Sequence, residues 1–454
     1  MTPLERVAEW IGALTADRVP TEQHRLVRLR LVDTLGLIAA AAGHDAGKSL
    51  RTFADANPGA GATVLTTGRQ ALPSTAAFVH GSLGHARDFD DTYIDSVVHP
   101  GSTVIAAALA AAESADAPFD ALSTSIVVGY EIAARLGMVA GRGFHARGFH
   151  ATSIVGPIAA AAAAGHLMRL DASRLADAMG LATSMSSGLL AFLGDGGWSK
   201  WIHTGWSAHG GLIAAQLAST GFHGPRQGLD HRFGLYGAFL GNADIDVAAI
   251  GKSLGATWHG ATAQAKLYPC AHVIQPYIDA ALALRAEKLA IENIASIRCV
   301  MAPWAMPIVG EPRDTKIAPR NDLEAIASLP FMVAAALIKG RVDLTTLAPA
   351  IIQDTEIRAL ASRIHCEADT LLGTGFDGRM QIAHRDGRTL NRAVGMTPPS
   401  AAQIIAKFRA NMAGRPQAAC DALLGALLDE LPRCRELMRL ATAAIAAHDT
   451  SARP

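Results

Sequence analysis

Apolar positions recur along this chain at helical spacing. Leu26, Leu29, Val32, Leu35, Ile38 and Ala39 stand one, three or four residues apart, which is the period of a single helix face. They predict a helix over 22–42, after a shorter one over 4–17. The same reading predicts helices over 74–84, from Pro100 through Glu113, and over 119–140, 154–165, 171–193 and 208–219. Residues 45–72, with their clusters of Gly, Pro and Thr, read mostly as loop.

Three polar inserts interrupt the apolar pattern: His85–Thr103, Gly141–Thr152 and Gly194–Gly205. Each is rich in Gly and in residues able to bind or move protons, and each joins alanine-rich segments. Polar inserts between apolar helices are expected to meet at one end of a helical bundle, where loops on a rigid scaffold carry chemistry.

Near residue 265 the pattern changes. Ile294–Met301 and Ile364–Ala368 read as strands. Arg379–His384 and Thr389–Val394 flank Arg385-Asp-Gly-Arg388 and read as a hairpin, because Asp-Gly suits a tight turn with positive φ. Helices are expected at 328–339 and 355–362, and again from Ser400 onward, packing back on the first helices. The expected fold is mainly α. A large all-helical domain is built from both chain ends (1–266 and 396–454), and a smaller α+β domain spans 267–395.

Composition narrows the function. Half of the 454 residues are apolar and 18% are charged, so a large buried core is expected. Forty basic residues balance forty acidic ones, which leaves no field of one sign to attract nucleic acid. Apolar runs such as Val104–Ala112 are shorter than a bilayer, so no membrane partner is expected. The five cysteines are odd in number and widely spaced, with no Cys-x-x-Cys. That argues against a disulfide framework or a structural zinc site and for a reducing, cytoplasmic setting. The N-terminal residues lack the pattern of a signal peptide.

The candidate chemistry is Asp88 and His99 in the first insert, His150 in the second, and Lys200 and His203 in the third. Lys266 and His272 join them from Lys-Leu-Tyr-Pro-Cys-Ala-His at the expected domain junction. Lysines hold carboxylates and stabilise the charge that develops when an α-proton leaves. A histidine can take or return that proton, and an aspartate can orient the histidine or assist a leaving hydroxyl. Together they suit elimination, epimerisation or decarboxylation of a small polycarboxylic acid, with no cofactor or metal required. Taken singly, each has a plainer structural role. Asp90 and Asp91 can cap a helix, His99 can be a helix entry before Pro100, and Lys200 between Trp198 and Trp201 can lie along the surface. A metal-dependent hydrolase using Asp88, Asp90, His99 and His150 as ligands is a further class.

In their order along the chain these motifs resemble the MmgE/PrpD family, which includes 2-methylcitrate dehydratase, cis-aconitate decarboxylase and iminodisuccinate epimerase. The matching pieces begin with Gly84-His-Ala-Arg-Asp-Phe-Asp-Asp-Thr92, His99-Pro100, Gly129-Tyr-Glu131, Gly148-Phe-His150 and Gly156. They continue with Lys200-Trp-Ile-His203, Gly205, Lys266–His272 and Pro319–Pro330. The resemblance implies a homodimer with a cofactor-free site in a cleft between the domains. By position, Asp88, Thr92, His99, His150, Lys200, Lys266 and His272 would line that site. His99 or His150 would move protons, Lys200 and Lys266 would clamp carboxylates, and Asp88 would tune a histidine. His203 would join the substrate-binding set, and the His145/His150 pair with Arg142 would select the substrate. Asp90 and Asp91 would be structural support. His-Pro-Gly-Ser-Thr and Ala327 depart from the dehydratase pattern and leave the acid open. A lyase is the first expectation, an epimerase of an imino- or hydroxy-dicarboxylate the second, and a non-catalytic carboxylate-binding protein the third.

Overall fold

A computed structural model describes residues 1–241, 245–429 and 433–446. Residues 430–432 and 447–454, part of the tract expected to be helical from Ser400, lie outside the described residues, as do 242–244.

The N-terminal half is a stack of helices whose starts are written in the sequence. Thr2 and Glu5 form a capping box at the head of α1 (Pro3–Ala13). The long α2 (Thr21–Ala41) follows. Proline at the first position, where its missing N–H costs nothing, opens α4 (Pro73–His85) and α5 (Pro100–Ala115). α6 (Phe119–Ala140), the single-turn α7 (Gly143–Ala146), α8 (Ala151–Leu167), α9 (Ala172–Thr183), α10 (Phe192–Asp195) and α11 (Ser199–Ser219) complete the set. By length and composition α6 could cross a bilayer, yet 89% of its apolar window is buried within the protein. It is a core helix.

Three expectations need correction. Residues 45–72 are not mostly loop: they form α3 (Asp45–Ala56) and an antiparallel hairpin of β1 (Pro58–Val64) and β2 (Arg69–Ala71). The Gly and Thr that signalled loop make its turn, with Gly68 at φ 71°. The hairpin is tied to α5 because the Glu113 carboxylate accepts from the Thr63 amide at 2.7 Å, so the helical part is not all-helical. The helix expected over 171–193 stops at Thr183, and a non-helical strap with Gly188 at φ 120° leads to α10. Conversely, α11 starts at Ser199, nine residues before the expected 208, so Lys200 and His203 sit on its first turns rather than in a loop.

α11 packs on α8 and α4, and small residues let it come close. A Cβ on Gly205 would stand 2.3 Å from the Phe78 carbonyl oxygen, and one on Gly81 would stand 2.9 Å from the Gly205 Cα. This close crossing carries the third insert up to the first.

Two apolar cores are formed. One runs from Leu4 to Ile250 and takes in Ile404 to Ile445, so both chain ends share it. Helix Ala401–Asn411 packs on α2, with Lys407 paired to Asp33 at 2.7 Å. The other core, from Cys270 to Val394, surrounds a four-stranded sheet of β3 (Ile294–Met301), β4 (Ile364–Ala368), β5 (Gly378–His384) and β6 (Thr389–Val394) in the order β4-β3-β5-β6. β3 and β4 are parallel, with Cys299 opposite Cys366, and the other pairings are antiparallel. A parallel pair needs a long crossover, and residues 302–363 supply it with helix Leu329–Lys339.

Candidate active site

Between these two cores lies a cleft of about 100 Å³. The N-terminal segments contribute Asp88, His99, His145, His150, Leu190, Phe192, Leu193 and Lys200, together with Val97, which packs against the second core. Lys266 and the second core side contribute Lys266 itself, Ala271, His272, Ile308, Leu323, Ile326 and Ala327. All three polar inserts therefore meet here. The size suits a small molecule, well below the several hundred Å³ of drug-sized pockets.

Asp88 is the electrostatic centre. Its Oδ1 accepts from Lys266 Nζ at 2.6 Å and stands 2.8 Å from Lys200 Nζ. Burial alone would raise this carboxyl, but the two lysines outweigh burial and hold it well below the usual carboxylate range. Burial lowers the Lys200 ammonium, partly offset by Asp88. Asp88 has φ 48°, and Val97, another lining residue, has φ 55°. Asp tolerates that region, but for a β-branched residue it is strained, and such strain gathers at functional sites.

His99 precedes α5, and its ring is fixed by what surrounds Nδ1. The Asp91 carbonyl oxygen lies 2.9 Å away and Thr92 Oγ1 3.1 Å. A carbonyl only accepts, so Nδ1 carries the proton and Nε2 keeps its lone pair. Thr92 is thus behind His99 rather than on the cleft wall; its backbone pairs with Gln264. Burial pushes the His99 imidazole down to about 3. His150 precedes α8, and its Nδ1 lies 3.1 Å from His203 Nδ1. His203 is therefore a partner of His150 and not a lining residue. Burial, with neighbouring imidazoles and Lys200, lowers His150 well below its ordinary value and His203 to about 4. His272 is buried on the opposite wall, and neither ring nitrogen has a hydrogen-bond partner among the described residues. Burial holds it, too, well below its ordinary value.

Asp91 is a support. Its Oδ1 accepts from the Gly101 amide at 2.9 Å in the first turn of α5, and its Oδ2 accepts from Tyr130 Oη at 2.6 Å. Asp90 faces a histidine. It contacts His85 Nδ1 at 2.9 Å and accepts from Ser102 Oγ at 2.7 Å. Burial would raise its carboxyl, but His85 and His99 hold it well below the usual range. Asp90 thus makes the direct histidine contact, while Asp88 is paired with lysines and acts on His99 through its charge alone. The His85 ring stacks on His150 at 5.5 Å and lies 5.1 Å from His99. Sequence reasoning passed over His85 as a candidate, although it opens the first insert five residues before Asp90.

Arg142 does not line the cleft. Its guanidinium carbon lies 4.0 Å from the Trp304 ring centre, and Nη2 donates to the Thr374 carbonyl at 2.9 Å. It joins α7 to the second core.

Asp88, Asp90 and His99 offer donor atoms within 4.8 Å of one another, close enough for a metal. The donors are engaged, however: two ammonium groups meet Asp88, and His85 and Ser102 meet Asp90. A divalent cation would sit beside both lysines, an arrangement that does not fit the residues present. A larger cavity of about 410 Å³ borders Asp91, Arg30, Asp33 and Ser400; it is lined by no imidazole, and its Asp91 carboxyl, pushed up to about 6 by burial, is already engaged by Tyr130 and the Gly101 amide.

The comparisons agree with the motif order. Residues 5–248 match the family model of the MmgE/PrpD N-terminal domain, and residues 268–429 match that of the MmgE/PrpD C-terminal domain. A cis-aconitate decarboxylase-like protein of Aspergillus oryzae is 24% identical over 418 residues, covering 86% of this chain and 85% of its own. The cis-aconitate decarboxylase of Aspergillus terreus is 26% identical over 317 residues, 65% of this chain and 63% of its own. The human cis-aconitate decarboxylase is 29% identical over 305 residues, 65% of this chain and 61% of its own. The last two matches span less than two-thirds of those proteins.

Proposed function

Because this chain belongs to the MmgE/PrpD family, we propose that it is a lyase acting on a small di- or tricarboxylic acid by taking a proton from the carbon next to a carboxylate. The observation that carries the reading is one cleft in which Asp88 is shared by Lys200 and Lys266 and faces the buried, neutral imidazoles of His99, His150 and His272.

A substrate carboxylate competes with Asp88 for the two ammonium groups, which then stabilise the enolate-like charge as the C–H bond breaks. His99 takes the proton at Nε2, the nitrogen its contacts leave free. Its basicity is low because burial disfavours the charged ring. An anion a few ångströms away favours the protonated form, so the base strengthens when a polyanion arrives. The His150–His203 pair shares one proton between two Nδ1 atoms. Charged by the same field, it returns a proton to the departing group or to carbon. Loss of water follows when that proton goes to a departing hydroxyl; in loss of carbon dioxide, the activity for which the relatives are named, the pair of the broken C–C bond stays on carbon and takes the proton there.

Epimerisation is the second reading. It is favoured by the 5.9 Å separation of the His99 and His150 rings, which would let two bases address one carbon. Proton NMR in deuterated water with citrate, 2-methylcitrate, cis-aconitate, tartrate and iminodisuccinate tests both readings. Elimination or decarboxylation products support the lyase, and label incorporation with inversion alone supports the epimerase. Binding without exchange or product would leave a carboxylate-binding protein.

A further inference from the structure

We propose that His145 is a specificity residue of the cleft that pairs with a hydroxyl group carried by the substrate acid. The proposal rests on the reading of the cleft as a carboxylic-acid site. It goes further by naming the class, a hydroxy-di- or hydroxy-tricarboxylic acid.

His145 lines the cleft with Asp88, Lys200 and His272. Its Nδ1 is buried and has no hydrogen-bond partner among the described residues, and buried polar atoms are normally paired. The ring stands edge-on to His150 with centroids 6.2 Å apart, so it borders the proton-transferring pair without bonding to it. The turn that carries it is fixed on both sides. Phe144 is buried against Tyr236 and Phe239, and Arg142 is anchored on Trp304 and the Thr374 carbonyl. Behind it, the Gly148 carbonyl accepts from the Leu190 amide at 2.9 Å. A ring held this way is positioned before a ligand arrives, which is what discrimination requires.

The class follows from donors and acceptors. The charged donors of the cleft, Lys200 and Lys266, already face Asp88 and suit carboxylates. A neutral imidazole has one donor and one acceptor. A carboxylate can use only the donor, whereas a hydroxyl, which both gives and takes a hydrogen bond, can use either nitrogen. Burial, with Arg142 and Lys200 nearby, keeps His145 neutral, its titration pushed down to about 4.

Calorimetric titration with two matched pairs tests this: malate against succinate, and citrate against propane-1,2,3-tricarboxylate. The full-length protein is expected to bind the hydroxylated member about tenfold more tightly, the size of one net hydrogen bond. His145→Phe should remove that preference while leaving affinity for the unsubstituted acids within about twofold, and His145→Gln should keep part of it. Should the Phe variant fail to fold, His145→Ala and His145→Gln make the same comparison. Equal affinities in the unaltered protein, or a preference that survives without the imidazole, would overturn the proposal. Lys200→Ala reports on the underlying reading alone: it should weaken both members of each pair equally. If it weakens neither, the acid-site reading falls whatever His145 does.

Discussion

The Lys266 ammonium donates to Asp88 twice, to the carbonyl oxygen at 2.9 Å and to Oδ1 at 2.6 Å. Lys266 is fully buried and holds in place a residue whose φ is positive. Lys200 meets the same oxygen from the first turn of α11. The two lysines are therefore unequal. Lys266 is part of the protein's interior, and Lys200 is the more exposed of the pair.

Replacing them should separate stability from turnover. Lys266→Met breaks a buried pair and is expected to cost about 3–5 kcal/mol of stability together with turnover. Lys200→Met is expected to lower turnover at least about a hundredfold with a smaller loss of stability. Urea melts beside NMR turnover assays read both, and equal melts for the two variants would contradict the ranking.

His99 and His150 should fail in different ways. With His99→Gln, exchange of the substrate α-proton with solvent deuterium should drop by about 10²–10⁴. With His150→Gln, exchange should persist while product formation slows. The opposite pattern would exchange the two assignments.

Asp90→Asn keeps the shape of the Asp90–His85 contact and removes its charge. Turnover is expected to fall at least about tenfold, with Ser102→Ala milder because it removes one neutral hydrogen bond. If Asp90→Asn turns over like the parent protein, Asp90 is support only, as Asp91 is.

Stability should fall with acid earlier than carboxylates alone would dictate. Burial pushes His80, His145 and His203 down to about 4 and His99 to about 3, from an ordinary 6.5. Above pH 6.5 both folded and unfolded states leave these rings neutral. Below it the unfolded chain binds protons that the folded protein refuses, so stability is lost as pH falls from about 6.5 toward 4. Each ring contributes up to about 1.4 kcal/mol per pH unit. Urea melts at pH 7, 6 and 5 measure the slope. A bound polycarboxylate should reduce it for the cleft histidines and not for His80.

Gly101→Ala tests the support under His99. Its Cβ would stand 2.7 Å from Asp91 Oδ1 and 2.8 Å from Tyr130 Oη. Displacing them is expected to cost about 1–3 kcal/mol and to shift His99. A variant with unchanged melting temperature and turnover would show that the first turn of α5 yields freely.

Much of this arrangement was legible in sequence because the signals are local. The inserts, the Asp-Gly hairpin and the proline-headed helices depend on neighbours in the chain. What was missed depends on distant partners. Residues 45–72 look like loop until Leu50 and Ala54 find a core and Thr63 finds Glu113. Lys200 looks like a loop residue because Gly196 and Gly197 precede it, yet α11 begins two residues after them. No spacing rule tells which of Asp88 and Asp90 meets lysine and which meets histidine. That division is set by α11 and Lys266 arriving on one side and α4 and α5 on the other. Arg142 was expected on substrate for its charge, but an aromatic ring and a carbonyl from the second core claim it.

Lys407 gives the molecule an order of assembly. Its ammonium donates to the Phe89 carbonyl at 2.7 Å, across 318 positions of chain, and pairs with Asp33 as well. At roughly 5–20 residues per second, a ribosome needs roughly 15 seconds to a minute to travel from Phe89 to Lys407. Over that interval the segment carrying Asp88 and His99 exists without its last tether. The catalytic segment is made early and finished late, so a chain cut before helix Ala401–Asn411 should keep every residue of the cleft and still lack a working one.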